Sequence, residues 1–225
     1  MGESRHELRF KVGQAFPASE PVSRFSAVLC MALNDLVLAS DHGVREGLPN
    51  WEYFYFLRLT AAHFFEAEKF IRESSARYPE IDAFICGLGD EANENWCKVR
   101  DVAADQSVKR LRDVFFHYPE MLDRTKSQYD QFTRALAGLS EQDGRIIQGK
   151  ALKDLRCEFA DDVAARLTRG DQQLPGEGAR DVVVDDLVAS LRDGVIALQD
   201  FSFTCVQAYL EALPKGTIEL NELVP

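Results

Sequence analysis

Apolar residues recur at intervals of three and four over most of the chain, the pattern of helices that bury one face. Proline and glycine mark several ends: Pro21 suits a first helical turn, and Tyr78 with Pro79 ends the second long helix. No alternating series of apolar and polar residues is found, so we predict an all-α fold, an antiparallel helical bundle. The predicted helices cover residues 21–43, 51–77, 105–118, 120–139, 150–168 and 182–213, with a short helix around Trp96.

The same pattern predicts three regions along the chain. Residues 1–20 are polar with scattered charge, and we expect an irregular N-terminal arm. Residues 21–140 should form the helical bundle, and residues 141–225 should form a C-terminal helical extension that packs on it. Glycines bound residues 145–148, which could be a short strand or a turn. A linker rich in glycine and proline follows at residues 170–178.

Charge narrows the classes of function that this chain can have. The 225 residues include 37 Asp and Glu against 26 Lys and Arg, which gives a formal net charge of −11. Such a field opposes nonspecific coating of nucleic acid, although a small basic cleft stays compatible with it. Charged residues interrupt the aromatic stretch at 54–70, and the N-terminus has no apolar signal core. We therefore predict a cytoplasmic protein without a transmembrane helix or membrane partner.

Cysteine and glycine spacings give no support for a metal or a nucleotide cofactor. The five cysteines include no Cys-x-x-Cys pair and no nearby histidine at ligand spacing. Gly87 and Gly89 lack the third glycine of a dinucleotide fingerprint, and no P-loop occurs. We expect no cofactor and no metal site.

The segment that could carry chemistry is 108–122, where Arg112, Asp113 and His117 stand in the order Arg, polar residue, three residues, His. Tyr118 completes a Phe-His-Tyr triplet before Pro119. This segment resembles the signature of the HEPN superfamily, whose members place Arg and His four to six residues apart. The resemblance covers about residues 20–140.

The residue types themselves suit RNA cleavage without a metal. Histidine titrates near neutral pH and can move the proton of a ribose 2′-hydroxyl or of the leaving oxygen. The planar fork of arginine suits the charge that grows on a phosphorane. On a straight helix, Arg112 and His117 are separated by about 140° in azimuth. They converge only if the helix loosens before Pro119 or if two copies combine their residues.

The resemblance implies the second arrangement, a homodimeric endoribonuclease that leaves 2′,3′-cyclic phosphate and 5′-hydroxyl ends, as part of a defence or toxin system. In that scheme His117 is the general acid or base, Arg112 binds the phosphate and Asp113 orients the histidine. Neighbouring cations and one aromatic residue would contact RNA: Lys109, Arg110, Tyr118, Arg124 and Lys126.

Two further residues could support the site, and two other functions stay open. His63 and Glu66 are three apart on the aromatic helix, so they can share a hydrogen bond beside the cleft; a core histidine is the alternative.

Many HEPN proteins bind or regulate without cleavage, so a noncatalytic module for a nucleotide or a partner protein stays open. The third possibility is an unrelated helical bundle whose motif is coincidental.

Overall fold

The computed structural model describes residues 5–43, 50–106, 108–109, 124–125, 127–137, 146–147, 156–157, 163 and 179–223. Seven helices and four short strands occur in these ranges. The all-α class is therefore confirmed. In chain order the elements are β1 (Arg5–Phe10), α1 (Val12–Ala15), α2 (Pro21–Gly43), α3 (Asn50–Arg77), α4 (Pro79–Cys86), α5 (Asp90–Ala104), α6 (Ser127–Ala137), β2 (Ile146–Ile147), β3 (Arg156–Cys157), α7 (Ala179–Glu211) and β4 (Ile218–Leu223).

Proline and glycine set the junctions between α3, α4 and α5. Pro79 is the first residue of α4, and its ring disfavours the helical conformation in the preceding Tyr78, which is extended at φ −121° and ψ 106°. Gly89 precedes α5 with φ +94°, a backbone conformation that suits glycine. The side-chain amide of Asn93 donates to the carbonyl of Gly89 at 2.9 Å. These residues end α3 and start α5.

Helices α2 and α3 form an antiparallel pair. Near the start of α2, the Phe25 ring stacks on Phe70 with centroids 5.6 Å apart. Further along α2, the Asp35 carboxylate lies 3.7 Å from Nδ1 of His63. Residue numbers thus rise on α2 as they fall on α3, which is the arrangement that the sequence predicted for the bundle.

Helix α7 completes the bundle by packing between α2 and α5. Trp96 of α5 stacks on Phe201 at 5.2 Å, whereas Val102 lies beside Gly194, so α5 and α7 are also antiparallel. The amide of Gln199 donates to the hydroxyl of Ser40 at 3.1 Å and links α7 to α2. Helix α7 belongs to the predicted C-terminal extension and packs on the bundle through the buried Leu191, Val195 and Leu198.

The core is mainly apolar, although it also encloses the side chains of Ser23, Ser26 and Ser202. Each of its large side chains contributes roughly 1.5–3 kcal/mol by leaving water. The largest fully buried side chains are Phe25, Phe64, Phe201, Leu29, Leu36, Ile71, Leu191, Leu198, Val99, Val108 and Val195.

The N-terminal arm is more ordered than the sequence predicted. Strand β1 pairs antiparallel with β4, with Leu8 opposite Leu220 and Phe10 opposite Ile218. The Tyr209 hydroxyl donates to the carbonyl of Ala15 at 2.7 Å, which fixes α1 to α7. The prediction of an irregular arm is wrong for this segment, since its partner strand lies more than 200 residues away and leaves no local signal.

The short strands β2 and β3 also bear on the predictions. Pairing of Ile146 with Cys157 and of Ile147 with Arg156 confirms the strand option at Ile146–Ile147. Arg156 and Cys157 lie inside the predicted helix 150–168, so the helix prediction is wrong at these two residues. It is confirmed at Val163, which is helical and buried in the core. The linker at 170–178 lies outside the described residues.

Within the described ranges, one helix is long and apolar enough to cross a membrane. The segment Pro21–Asp41 of α2 has a mean hydropathy of 1.5, and 33% of it is buried in the bundle. Core helices of soluble proteins and signal sequences near an N-terminus share this composition, so the finding is weak evidence for a span. The expected lack of membrane association stays a prediction.

Candidate functional site

A cavity of about 720 Å³ lies between α3 and α5, a volume typical of small-ligand sites. Helix α3 contributes Phe65, Glu68 and Arg72, which follow one another by three and four residues and so share a face. Helix α5 contributes a second face at the same kind of spacing, and the chain beyond it supplies the edge at Lys109. The full lining is Phe65, Glu68, Arg72, Cys97, Arg100, Asp101, Ala103, Ala104, Gln106 and Lys109.

Charge gives this cavity a slight positive balance in an acidic molecule. Arg72, Arg100 and Lys109 supply three cations against two carboxylates, Glu68 and Asp101, so the local sum is 3 − 2 = +1. The whole chain carries −11. A phosphate-bearing ligand would therefore meet a more favourable local charge in this cavity than the chain average provides.

One of the three cations is already paired. Nε of Arg72 donates to Oε1 of Glu68 at 2.9 Å, and the Glu68 side chain is only 10% exposed while that of Arg72 is 53% exposed. This charge-assisted bond fixes both side chains on α3. Arg100 and Lys109 are exposed and form no ion pair with another described residue. They are the two cations most available to a ligand.

Lys109 joins the cavity to the predicted motif. Its backbone N–H donates to the carbonyl of Asp105 at 2.9 Å, so a helical turn follows α5. The adjacent Val108 is completely buried, which anchors this turn to the core. Lys109 is thus both a residue predicted to contact RNA and the end of the cavity lining.

The remaining predicted site residues divide into described and undescribed ones. Arg124 is exposed in a turn and does not line the cavity. The central set and three of the predicted RNA contacts lie outside the described residues: Arg112, Asp113, His117, Arg110, Tyr118 and Lys126. Their roles stay predictions.

His63 lies on the side of α3 that meets α2. Its side chain is 31% exposed, and Nδ1 is 3.7 Å from Oδ2 of Asp35. Glu66 is exposed, and neither His63 nor Glu66 lines the cavity between α3 and α5. Among the described residues, His63 and Glu66 do not form the predicted hydrogen bond. The carboxylate next to His63 is that of Asp35.

The contribution of α3 and α5 to the cavity is not predicted by the sequence pattern. The pair Glu68 and Arg72 was visible as a favourable spacing of four residues on one helix. Arg100 and Asp101 gave no comparable signal, because their importance depends on which helix packs opposite them. Among the described residues, no group of three or more His, Cys, Asp or Glu side chains could hold a metal ion.

Comparison with known proteins adds no family assignment. The chain matches no protein-family model, no curated protein and no solved structure.

Proposed function

We propose that this protein is a HEPN-like, metal-independent endoribonuclease that binds RNA phosphates at the cavity between α3 and α5. The observation that supports it is the position of Lys109, which ends the cavity lining and precedes Arg112 by three residues. Three residues of chain reach at most about 11 Å, which is the upper limit for the distance between the Cα atoms of Lys109 and Arg112. A phosphate held by Arg100 and Lys109 would then lie within reach of the motif.

In the proposed reaction, His117 takes the proton of the 2′-hydroxyl or gives one to the leaving 5′-oxygen. The 2′-oxygen attacks phosphorus, the bond to the 5′-oxygen breaks, and a 2′,3′-cyclic phosphate and a 5′-hydroxyl result. Arg112 stabilises the negative charge of the phosphorane, and Asp113 orients the imidazole. A homodimer would let one copy supply the base and the other the acid.

The proposal is tested by incubating the purified full chain with a mixed-sequence RNA in EDTA. We expect cleavage with cyclic phosphate ends, and His117→Ala should slow it by about 10²–10⁴-fold because general acid–base catalysis contributes that much. His42→Ala is the matched control, since no role is assigned to this residue near the end of α2. Equal cleavage by wild type and His117→Ala would reject the assignment.

The carboxylates of the cavity favour a second candidate, a noncatalytic nucleotide-binding module. Glu68 and Asp101 would repel a continuous chain of phosphates. They can, however, accept hydrogen bonds from the ribose hydroxyls or base amino groups of a single nucleotide while Arg100 and Lys109 bind its phosphate. This candidate predicts binding of a mononucleotide, measured by calorimetry, with RNA left intact. If the wild type cleaves RNA and His117→Ala does not, this noncatalytic candidate is rejected.

A further inference from the structure

Helix α2 carries a stripe of exposed residues outside the face that it buries in the core. The stripe consists of Arg24, Val28, Met31, Asp35 and Leu38, whose spacings alternate between four and three. The exposed fractions are 36% for Val28, 65% for Met31 and 61% for Leu38. Large apolar side chains are therefore left in water on a helix that otherwise packs against α3 and α7.

Alternation of four and three is the spacing of a two-stranded coiled coil. Residues at these intervals form one seam, and each side chain of the seam fits between residues of a facing helix. We propose that the α2 stripe binds the α2 stripe of a second copy of this chain, in antiparallel orientation. The proposal goes beyond RNA cleavage and depends on none of the motif residues.

Charge complementarity identifies the second copy as the occupant. In an antiparallel seam with Val28 facing Met31 of the other copy, Arg24 faces Asp35 of the other copy, and Leu38 covers the first turn at Pro21. A two-fold axis repeats each contact, so two Arg–Asp layers flank an apolar centre. A parallel seam would instead place Arg24 against its own equivalent and Asp35 against its own, which like charges disfavour.

A lipid surface fits the same stripe less well. Arg24 stands within the apolar stripe, where a bilayer offers it no partner, and a charge deep in the bilayer costs about 2.5–3.5 kcal/mol. Asp35 would enter the bilayer with only the His63 imidazole, 3.7 Å away, beside it. In the paired seam both charges are neutralised by the other copy.

The α2 seam is separate from the cavity between α3 and α5, whose lining includes no residue of α2. Helix α2 packs on α3 and α7, whereas α5 packs mainly on α7 at another corner of the bundle. Pairing through α2 therefore leaves the cavity edge at Lys109 free on each copy. Loss of pairing through α2 and loss of RNA cleavage can consequently be measured independently, the first by mass and the second by the RNA products.

Sedimentation equilibrium of the full chain tests the apolar part of the seam. We expect Met31→Lys to lower the average mass by about two-fold at micromolar concentration, because it places two ammonium groups in the centre. Val37→Lys is the matched control: Val37 is 52% exposed on the same helix but lies outside the stripe, so the wild-type mass should persist. A monomeric wild type, or equal masses for both variants, would overturn the proposal.

Charge exchange tests the antiparallel register. Arg24→Asp and Asp35→Arg should each dissociate the copies by placing like charges in one layer, and the double variant should restore the wild-type mass. His63→Gln removes the intrachain neighbour of Asp35 and should leave the mass unchanged. A double variant that stays as dissociated as the single variants would reject this register.

Vesicle flotation tests the lipid alternative. If the wild type is a monomer that floats with neutral phosphatidylcholine vesicles, and Met31→Lys does not float, the stripe binds lipid instead.

Discussion

The thiol of Cys205 is completely enclosed on the inner face of α7. Burial in apolar surroundings disfavours the thiolate, which raises the pKa of Cys205 from 9.0 to about 12. Between these values the unfolded chain releases this proton while the folded chain keeps it. The thiol therefore stabilises the fold below pH 9, and this contribution is lost as pH rises towards 12.

We accordingly expect stability to fall above pH 9 partly through Cys205, by up to roughly 1.4 kcal/mol per pH unit. Urea unfolding between pH 8 and pH 10.5 measures this slope. Cys205→Ala should lower stability at pH 8 but show a shallower decline, since it has no thiol to titrate. Cys86→Ala replaces an exposed thiol and should keep the wild-type slope. Identical slopes for wild type and Cys205→Ala would contradict the assignment.

Gly194 of α7 lies close to side chains of α3 and α5, and among the described glycines it leaves the least space for a side chain. A Cβ atom there would lie 2.7 Å from Cγ1 and 3.0 Å from Cβ of Val102, and 3.1 Å from Cε2 of Phe64. Val102 cannot withdraw by rotating its side chain alone, because its Cβ is itself one of the close atoms. The helices must separate to admit even a methyl group.

Gly194→Ala should therefore destabilise the bundle, although alanine favours a helix over glycine by about 1 kcal/mol. Overpacking costs about 1–3 kcal/mol, so we expect a net loss of about 1 kcal/mol in the free energy of unfolding in urea. Gly13→Ala in α1, where no atom lies within 4 Å of the added methyl, should be neutral or stabilising.

Val102→Ala provides the second half of the test. It costs stability alone, but it removes the methyl groups that Gly194→Ala meets, so the double variant should lose less than the sum of the single losses. Additive losses would show that the close approach of α5 and α7 has no energetic effect.

At the level of elements, local sequence patterns were sufficient for the long helices and insufficient for pairings. Helices α2, α3 and α7 follow from periodicity. The start of α2 follows from Pro21 and the end of α3 from Pro79, because proline acts on neighbouring residues only. Strand β1 was missed because it exists through pairing with β4 at the other end of the chain. The helices that α7 packs against could not be predicted for a similar reason, because contacts between helices depend on residues that are distant in the chain.

The same limit applies to the whole molecule and its candidate site. Lys109 was predicted from its place beside the motif, whereas Arg72 and Arg100 became relevant only when α3 and α5 were seen to face each other. Periodicity predicts which face of a helix is buried but not which two faces enclose a cavity. The net charge, by contrast, could be counted directly, and it restricts where a polyanion can bind.

Binding of a polyanion should therefore be confined to the cavity, and two exposed cysteines can report it. Cys97 lines the cavity, while Cys86 is exposed on α4 outside it. We expect a short single-stranded RNA to slow alkylation of Cys97 by N-ethylmaleimide and to leave the rate at Cys86 unchanged. The protection should disappear as salt rises, because each phosphate contact contributes about −0.7 to the slope of log affinity against log salt for single strands.

Two lysine variants link this protection to the cations of the cavity, measured on the His117→Ala background so that the RNA stays intact. Lys109→Ala removes a cation from the lining and should weaken RNA binding and reduce the salt slope by about 0.7. Lys98→Ala makes the same chemical change at an exposed position of α5 outside the lining and should alter neither. Equal effects of the two variants would mean that net charge alone governs binding. Protection of Cys86 as strong as that of Cys97 would place the ligand elsewhere on the molecule.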